Sequence, residues 1–171
     1  MSSIRVGIGP STFAQEDREP LELLIAAGAT VVPNPTGKRM TEAEITSFLT
    51  RERLDGLLAG LEPLNRRVLE AGRPRLRAVA RVGIGITNVD TDACREFGIR
   101  FSFTPDGPTE AVAEMTLAAL LHLARELGPM DRALHAGRWP KMIGRSLREL
   151  TVLIVGYGRI GRSVAAQLGL L

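Results

Sequence analysis

Between residues 4 and 103 the sequence alternates five times between a short apolar run and a turn, with four amphipathic helical stretches in between. The runs are Ile4 to Ile8, Thr30 to Val32, Gly56 to Ala59, Leu76 to Ala80 and Ile99 to Phe103. The helical stretches begin near Pro20, at Thr41, at Asn65 and at Asp90. Pro20 suits a first helical position, and Thr41-Glu42-Ala43-Glu44 has the form of a capping box. Strands that alternate with helices cannot be joined by hairpins. They predict an α/β fold with a parallel sheet and helices on both faces.

A turn cluster at Thr104-Pro105-Asp106-Gly107-Pro108 interrupts this rhythm and divides the chain into residues 1–103 and 104–171. Beyond it, Thr109 to Leu127 reads as a long helix, apolar around most of its circumference, and therefore as one buried in a core or at a subunit interface. Gly128-Pro129 is the expected stop, followed by a short helix from Asp131 to Ala136. An irregular arm spans 138–146, with Trp139 expected to anchor it by packing.

Thr151 to Val155 is a continuous apolar, β-branched run of the kind buried on both faces of a sheet. It leads directly into Gly156-Tyr157-Gly158-Arg159-Ile160-Gly161 and then a helical pattern. In this context the three glycines have separate roles. Gly156 permits the tight turn, Gly158 lets a pyrophosphate approach the backbone, and Gly161 lets helix and strand pack closely. Free amides and the helix dipole would hold the phosphates. Gly7-Ile8-Gly9 lacks the third glycine and reads as a plain turn.

Composition narrows the function classes. Of 171 residues, 44% are hydrophobic and 24% charged, as in a globular protein. The lone cysteine, Cys94, excludes a disulfide framework and a multi-cysteine zinc site. No apolar run reaches the ~18 residues of a membrane span, and the start lacks a long apolar signal region, so the expected location is the cytoplasm, away from membranes. The formal charge is +3. The densest basic stretch (Arg66, Arg67, Arg73, Arg75, Arg77, Arg81) has no interleaved aromatics. It reads as a solvated face of a helix and strand, and no nucleic-acid partner is expected.

Four stretches together resemble the D-isomer-specific 2-hydroxyacid dehydrogenases, the family that includes phosphoglycerate dehydrogenase. They are Glu62 to Glu70, Arg81 to Asp90, Thr104 to Glu114, and Ala136 to Trp139 continuing through Gly144 to Gly161. The resemblance implies a flavodoxin-like substrate domain (1–103), then the start of a Rossmann dinucleotide-binding domain (104–171), with the active site between them. It implies that Gly83, Ile84 and Gly85 bind the substrate carboxylate through backbone amides. That agrees with the affinity of glycine-rich turns after strands for anions. It further implies that Ile84, Gly156, Gly158, Arg159, Ile160 and Gly161 contact a nicotinamide cofactor, NAD or NADP, and that the 109–127 helix forms a homodimer. The small-molecule partner would be a 2-hydroxy or 2-keto acid. Two positions depart from the family pattern: Thr87 stands where Asp is usual, and Tyr157 where Leu is usual.

The family's catalytic Arg, carboxylate and His lie downstream of the glycine turn, past Leu171. The expectation is that no catalytic residue lies within these 171 residues and that they are inactive alone. His122 reads as a packed or edge histidine, His135 as solvated, and Cys94 as a small core residue. A non-catalytic dinucleotide-binding module, like the corepressors that share the family's fold, is the second reading the resemblance leaves open.

Overall fold

The computed structural model describes residues 3–170 and divides into two compact units, one up to Pro105 and one from Asp106. The first unit runs β1 (Arg5–Ile8), α1 (Glu19–Ala26), β2 (Thr30–Val32), α2 (Glu42–Arg51), β3 (Gly56–Ala59), α3 (Arg66–Ala71), β4 (Ala78–Arg81), α4 (Thr91–Glu96), β5 (Arg100–Phe103). All its strands are parallel, in the order β2-β1-β3-β4-β5, which is the flavodoxin-like order. Local chemistry sets the helix starts. The Thr41 side chain accepts from the Glu44 amide while Glu44 reaches back to Thr41, closing the capping box. Asn65 and Asp90 accept from the Val68 and Ala93 amides in the same way.

Right-handed crossovers put α1 on one face of this sheet and α2, α3 and α4 on the other, because the connection from β1 to β2 runs opposite to those that follow. The core lies on the second face. Ile45, Phe48 and Leu49 of α2, Val68 and Leu69 of α3, and Ala93 and Cys94 of α4 close over Leu57 and Val79, whereas α1 buries no residue. Gly7 and Ile8, expected in a turn, lie within β1 instead. A Cβ on Gly7 would come within 2.8 Å of the Phe48 ring, so the glycine lets α2 close onto the sheet.

At the amino-terminal edge of the sheet, Asp55 accepts from the Arg5 amide at 2.8 Å and faces the Arg75 guanidinium at 3.0 Å. Arg5 in turn pairs with Glu52 at 2.7 Å. Burial opposes the charge on Asp55, yet the Arg5 amide and Arg75 outweigh it and hold its pKa below the usual carboxylate value. The arginine stretch is therefore not simply a solvated face. Arg66 pairs with Glu96 at 2.6 Å, and Arg66 and Arg73 lie over the Phe97 ring at 5.3 and 4.8 Å. Cys94 is buried, and that burial, helped by Asp90, pushes its thiol pKa up.

The second unit holds α5 (Thr109–Ala124), α6 (Leu127–His135), a single 3-10 turn at Leu147–Glu149, and α7 (Arg159–Leu168). Four expectations are corrected here. The long helix ends at Ala124 rather than Leu127, where Glu126 takes a left-handed conformation (φ 57). Gly128 and Pro129 then lie inside α6, in its first turn, where a missing N–H costs no helical hydrogen bond. Of the α5 residues only Ala113 is buried, so its apolar circumference is not a core within this unit. Thr151 to Val155 pairs with no strand among the described residues, and Leu153 and Val155 are 85% and 91% exposed. An extended run needs a hydrogen-bonded neighbour to count as a strand, whatever its propensity. Trp139 is 86% exposed: Arg138 donates to Ala133 and Arg145 to Ala124, but no backbone hydrogen bond holds the arm between them.

Among the described residues no helix is long and apolar enough to cross a membrane.

Candidate functional site

The parallel order brings the carboxyl ends of β1, β3 and β4 side by side. The Gly9 amide donates to Leu58 O at 2.8 Å and the Val82 amide to Ala59 O at 2.9 Å, extending the ladder past the strands. The loops that follow (9–12, 60–63 and 82–90) form the crevice where ligands of open parallel sheets bind. The last two are stitched together. Asn88 Nδ2 donates to Gly60 O and Glu62 O at 3.1 and 2.7 Å, and Leu64 and Asn88 join through their backbones at 2.8 Å. Thr87, where the family has Asp, is exposed and takes no part in this stitching.

Within the 82–90 loop, Gly83 has φ 132, a conformation that favours glycine, and a Cβ there would meet Arg81 Nη1 at 2.7 Å. Its amide is already committed, donating to Thr104 Oγ1 at 2.7 Å. That leaves the Ile84 and Gly85 amides, which have no partner among the described residues, to face an anion. Gly85 is exposed, with open space where a Cβ would lie.

Two residues the sequence reading left without a role line this crevice. Glu62 and Arg81 are 1% and 6% exposed, the buried charged side chains among the described residues. Glu62 Oε1 accepts from the Gly60 amide at 2.7 Å. Arg81 donates through Nη1 to the Val82 carbonyl, and its buried Nε has no partner. The one signal that could have drawn attention to Arg81 is its place at the end of β4, two residues before Gly83.

In the second unit the glycine turn has the local form that its sequence predicts. Gly156 adopts φ 95, and Gly158 is the residue before the first turn of α7, with no side-chain cap on that helix. Nothing lies within 4 Å of a Cβ built on Gly158. A Cβ on Gly161 would collide with the Gly156 carbonyl, so turn and helix touch there through glycine alone. The uncapped amides at the start of α7, with open space beside Gly158, suit a phosphate group. Arg159 pairs with Asp106 at 2.5 Å, and α7 is tied to α5 by Ser163 and Glu110 at 3.1 Å. Tyr157 is exposed, as a residue between two turn glycines can be. His135 is exposed beside Asp131, and neither it nor His122 lies in the crevice at the sheet's carboxyl edge.

Comparison with known proteins places these features in one family. A family model described as the D-isomer specific 2-hydroxyacid dehydrogenase catalytic domain matches residues 14–168. D-3-phosphoglycerate dehydrogenase 3 of Arabidopsis thaliana is 38% identical over 106 residues, which are 61% of this chain and 18% of that protein. A solved protein of Thermus thermophilus superposes with a TM-score of 0.83 at 29% identity, over 98% of this chain and 53% of that one. The NAD+-bound 3-phosphoglycerate dehydrogenase of Entamoeba histolytica shares the fold at a TM-score of 0.76 and 21% identity, over 98% of this chain and 51% of that one. The chain thus spans about half of each solved relative and a smaller part of the plant one. With the family model covering nearly all of its length, the chain belongs to the D-isomer specific 2-hydroxyacid dehydrogenases.

Proposed function

We propose that these residues supply the substrate-carboxylate loop and the dinucleotide-phosphate turn of an oxidoreductase. Its reaction interconverts a D-2-hydroxy acid and the corresponding 2-keto acid. The observation that carries this reading is the glycine turn: Gly156 at positive φ, open space at Gly158, and the uncapped start of α7. The relatives support it, since one fold neighbour is described as holding NAD+. In this reading residues 1–103 form the substrate domain and 104–171 belong to the Rossmann domain. Val152 to Val155 would then be a strand whose partners lie outside the described residues.

When bound, NAD or NADP supplies the hydride acceptor; no residue here selects between them. The chain's own residues bind and orient. The Ile84 and Gly85 amides hold the acid's carboxylate, with Gly83 fixed in place by Thr104. The amides of Arg159, Ile160 and Gly161 hold the pyrophosphate, beside Gly156 and Gly158. Ile84 would also contact the cofactor. Arg159 reaches the phosphates only by sharing or leaving Asp106. The exposed apolar residues of α5, Met115 and Leu123 among them, suit a second copy and so a homodimer.

An NAD+ titration followed by amide resonances tests the reading. The expected result is that shifts concentrate at residues 158–161 and that Gly158→Val abolishes them. Shifts scattered elsewhere, or none at the turn, would overturn it.

A further inference from the structure

The carboxylate loop accounts for the part of a 2-hydroxy acid common to all of them, and leaves the crevice beside it unassigned. This crevice, about 360 Å³, is lined by Gly9, Gly60, Glu62, Arg81 and Val82. Arg81 joins it to the loop, because its guanidinium lies against Gly83. A group held at Arg81 is therefore next to an acid whose carboxylate sits on Ile84 and Gly85.

The polar atoms of the crevice are complementary but do not meet. Arg81 Nε is a buried donor with no acceptor, and buried donors left unpaired are rare and costly. The Glu62 carboxyl group packs against Gly9 and Gly60, where a Cβ would strike its oxygens. Oε1 is used by the Gly60 amide, while Oε2 has no partner among the described residues. Glu62 and Arg81 form no ion pair, so they stand more than 4.0 Å apart with room between them.

Resting on the carboxylate loop proposed above, we infer that this crevice is a substituent subsite for a 2-hydroxy or 2-keto acid bearing a hydroxyl on its third carbon. A hydroxyl is both donor and acceptor. It can donate to Glu62 Oε2 and accept from Arg81 Nε, satisfying both at once. A phosphoryl group presents only acceptors and carries about two negative charges near neutral pH. Against Glu62 it meets an acceptor with an acceptor and a formal negative charge with another, which selects against it. A methyl group in the same place leaves both protein atoms unpaired, and an unmatched polar pocket discriminates strongly against such an analogue. Arg39, at the rim, is exposed and well screened, so the buried pair governs the choice.

The test titrates the chain with D-lactate, D-glycerate and 3-phospho-D-glycerate, following the Ile84, Gly85 and Gly60 amides and the Arg81 Nε–H resonance. All three acids are expected to shift Ile84 and Gly85, with only D-glycerate moving Arg81 Nε–H and Gly60. D-Glycerate is expected to bind about tenfold more tightly than the phosphorylated acid. Glu62→Gln, which keeps the size and the Gly60 contact, is expected to erase that preference. If D-glycerate leaves Arg81 unmoved, or the phosphorylated acid binds more tightly to the wild type, the subsite is wrong and the carboxylate loop stands. If none of the acids shifts Ile84 or Gly85, the carboxylate loop is wrong and the subsite falls with it.

Discussion

The two edges of the same five-stranded sheet treat charge in opposite ways. At the amino-terminal edge, Asp55 is met by the Arg5 amide and Arg75, and Arg5 is met by Glu52. At the carboxyl-terminal edge, Arg81 and Glu62 are more deeply buried, share one crevice and do not pair. Burying a charge costs free energy unless partners offset it. The first edge offsets that cost within the fold, whereas the second does not. Unpaired groups held in place by the rest of a fold mark a site awaiting something, and here they stand where parallel sheets bind ligands.

Substitutions along β3 and β4 probe this contrast. The largest effect belongs to the shared centre. Leu57→Ala, between the two edges and fully buried, should cost about 2–5 kcal/mol by chemical denaturation. A cost well below that range would mean the core does not unite the edges.

Next comes the satisfied edge. Asp55→Ala strips partners from the Arg5 amide and Arg75 and should cost about 1–3 kcal/mol near neutral pH. Since the Asp55 pKa is lowered in the folded chain, its contribution is complete above the unfolded carboxylate value, about 3.9. It is lost as pH falls through the lower folded value. The variant's stability should therefore fall less steeply on acidification than the wild type's. Parallel curves would show that Asp55 is not the paired group described.

The smallest change, opposite in sign, belongs to the open edge. Arg81→Met replaces an unpaired buried guanidinium with an apolar chain of similar reach. It should leave stability unchanged or raise it by up to about 1 kcal/mol, measured by the same denaturation.

Much of this was legible from residues alone, and the exceptions share a cause. β2 and β3 fall where apolar runs bounded by turns place them, and β1, β4 and β5 begin or end within one or two residues of expectation. The Thr41 capping box and the Gly156 turn are local in their physics, so they survive intact. Failures came where a neighbour decides the outcome. Thr151 to Val155 has strand composition but no pairing among the described residues, and Trp139 has the bulk of an anchor but no wall to pack on. Pro129 was read as a stop, yet three residues into a helix it removes an N–H that has no helical acceptor. Gly83 looked like one of three equivalent amides, and Thr104, 21 residues away, removes it from that set. Glu62 and Arg81 went unread because only the strand order, with β3 beside β4, places residues nineteen positions apart in one crevice.

Thermal unfolding across a series of D-glycerate concentrations, run on the wild type and on Arg81→Met, tests the unpaired charge most directly. The wild-type Tm should rise with ligand concentration, as binding to the folded state requires. Arg81→Met should start at an equal or higher Tm and show a much weaker rise. An Arg81→Met chain that unfolds at lower temperature and responds to D-glycerate as the wild type does would show that Arg81 serves the fold and not a ligand.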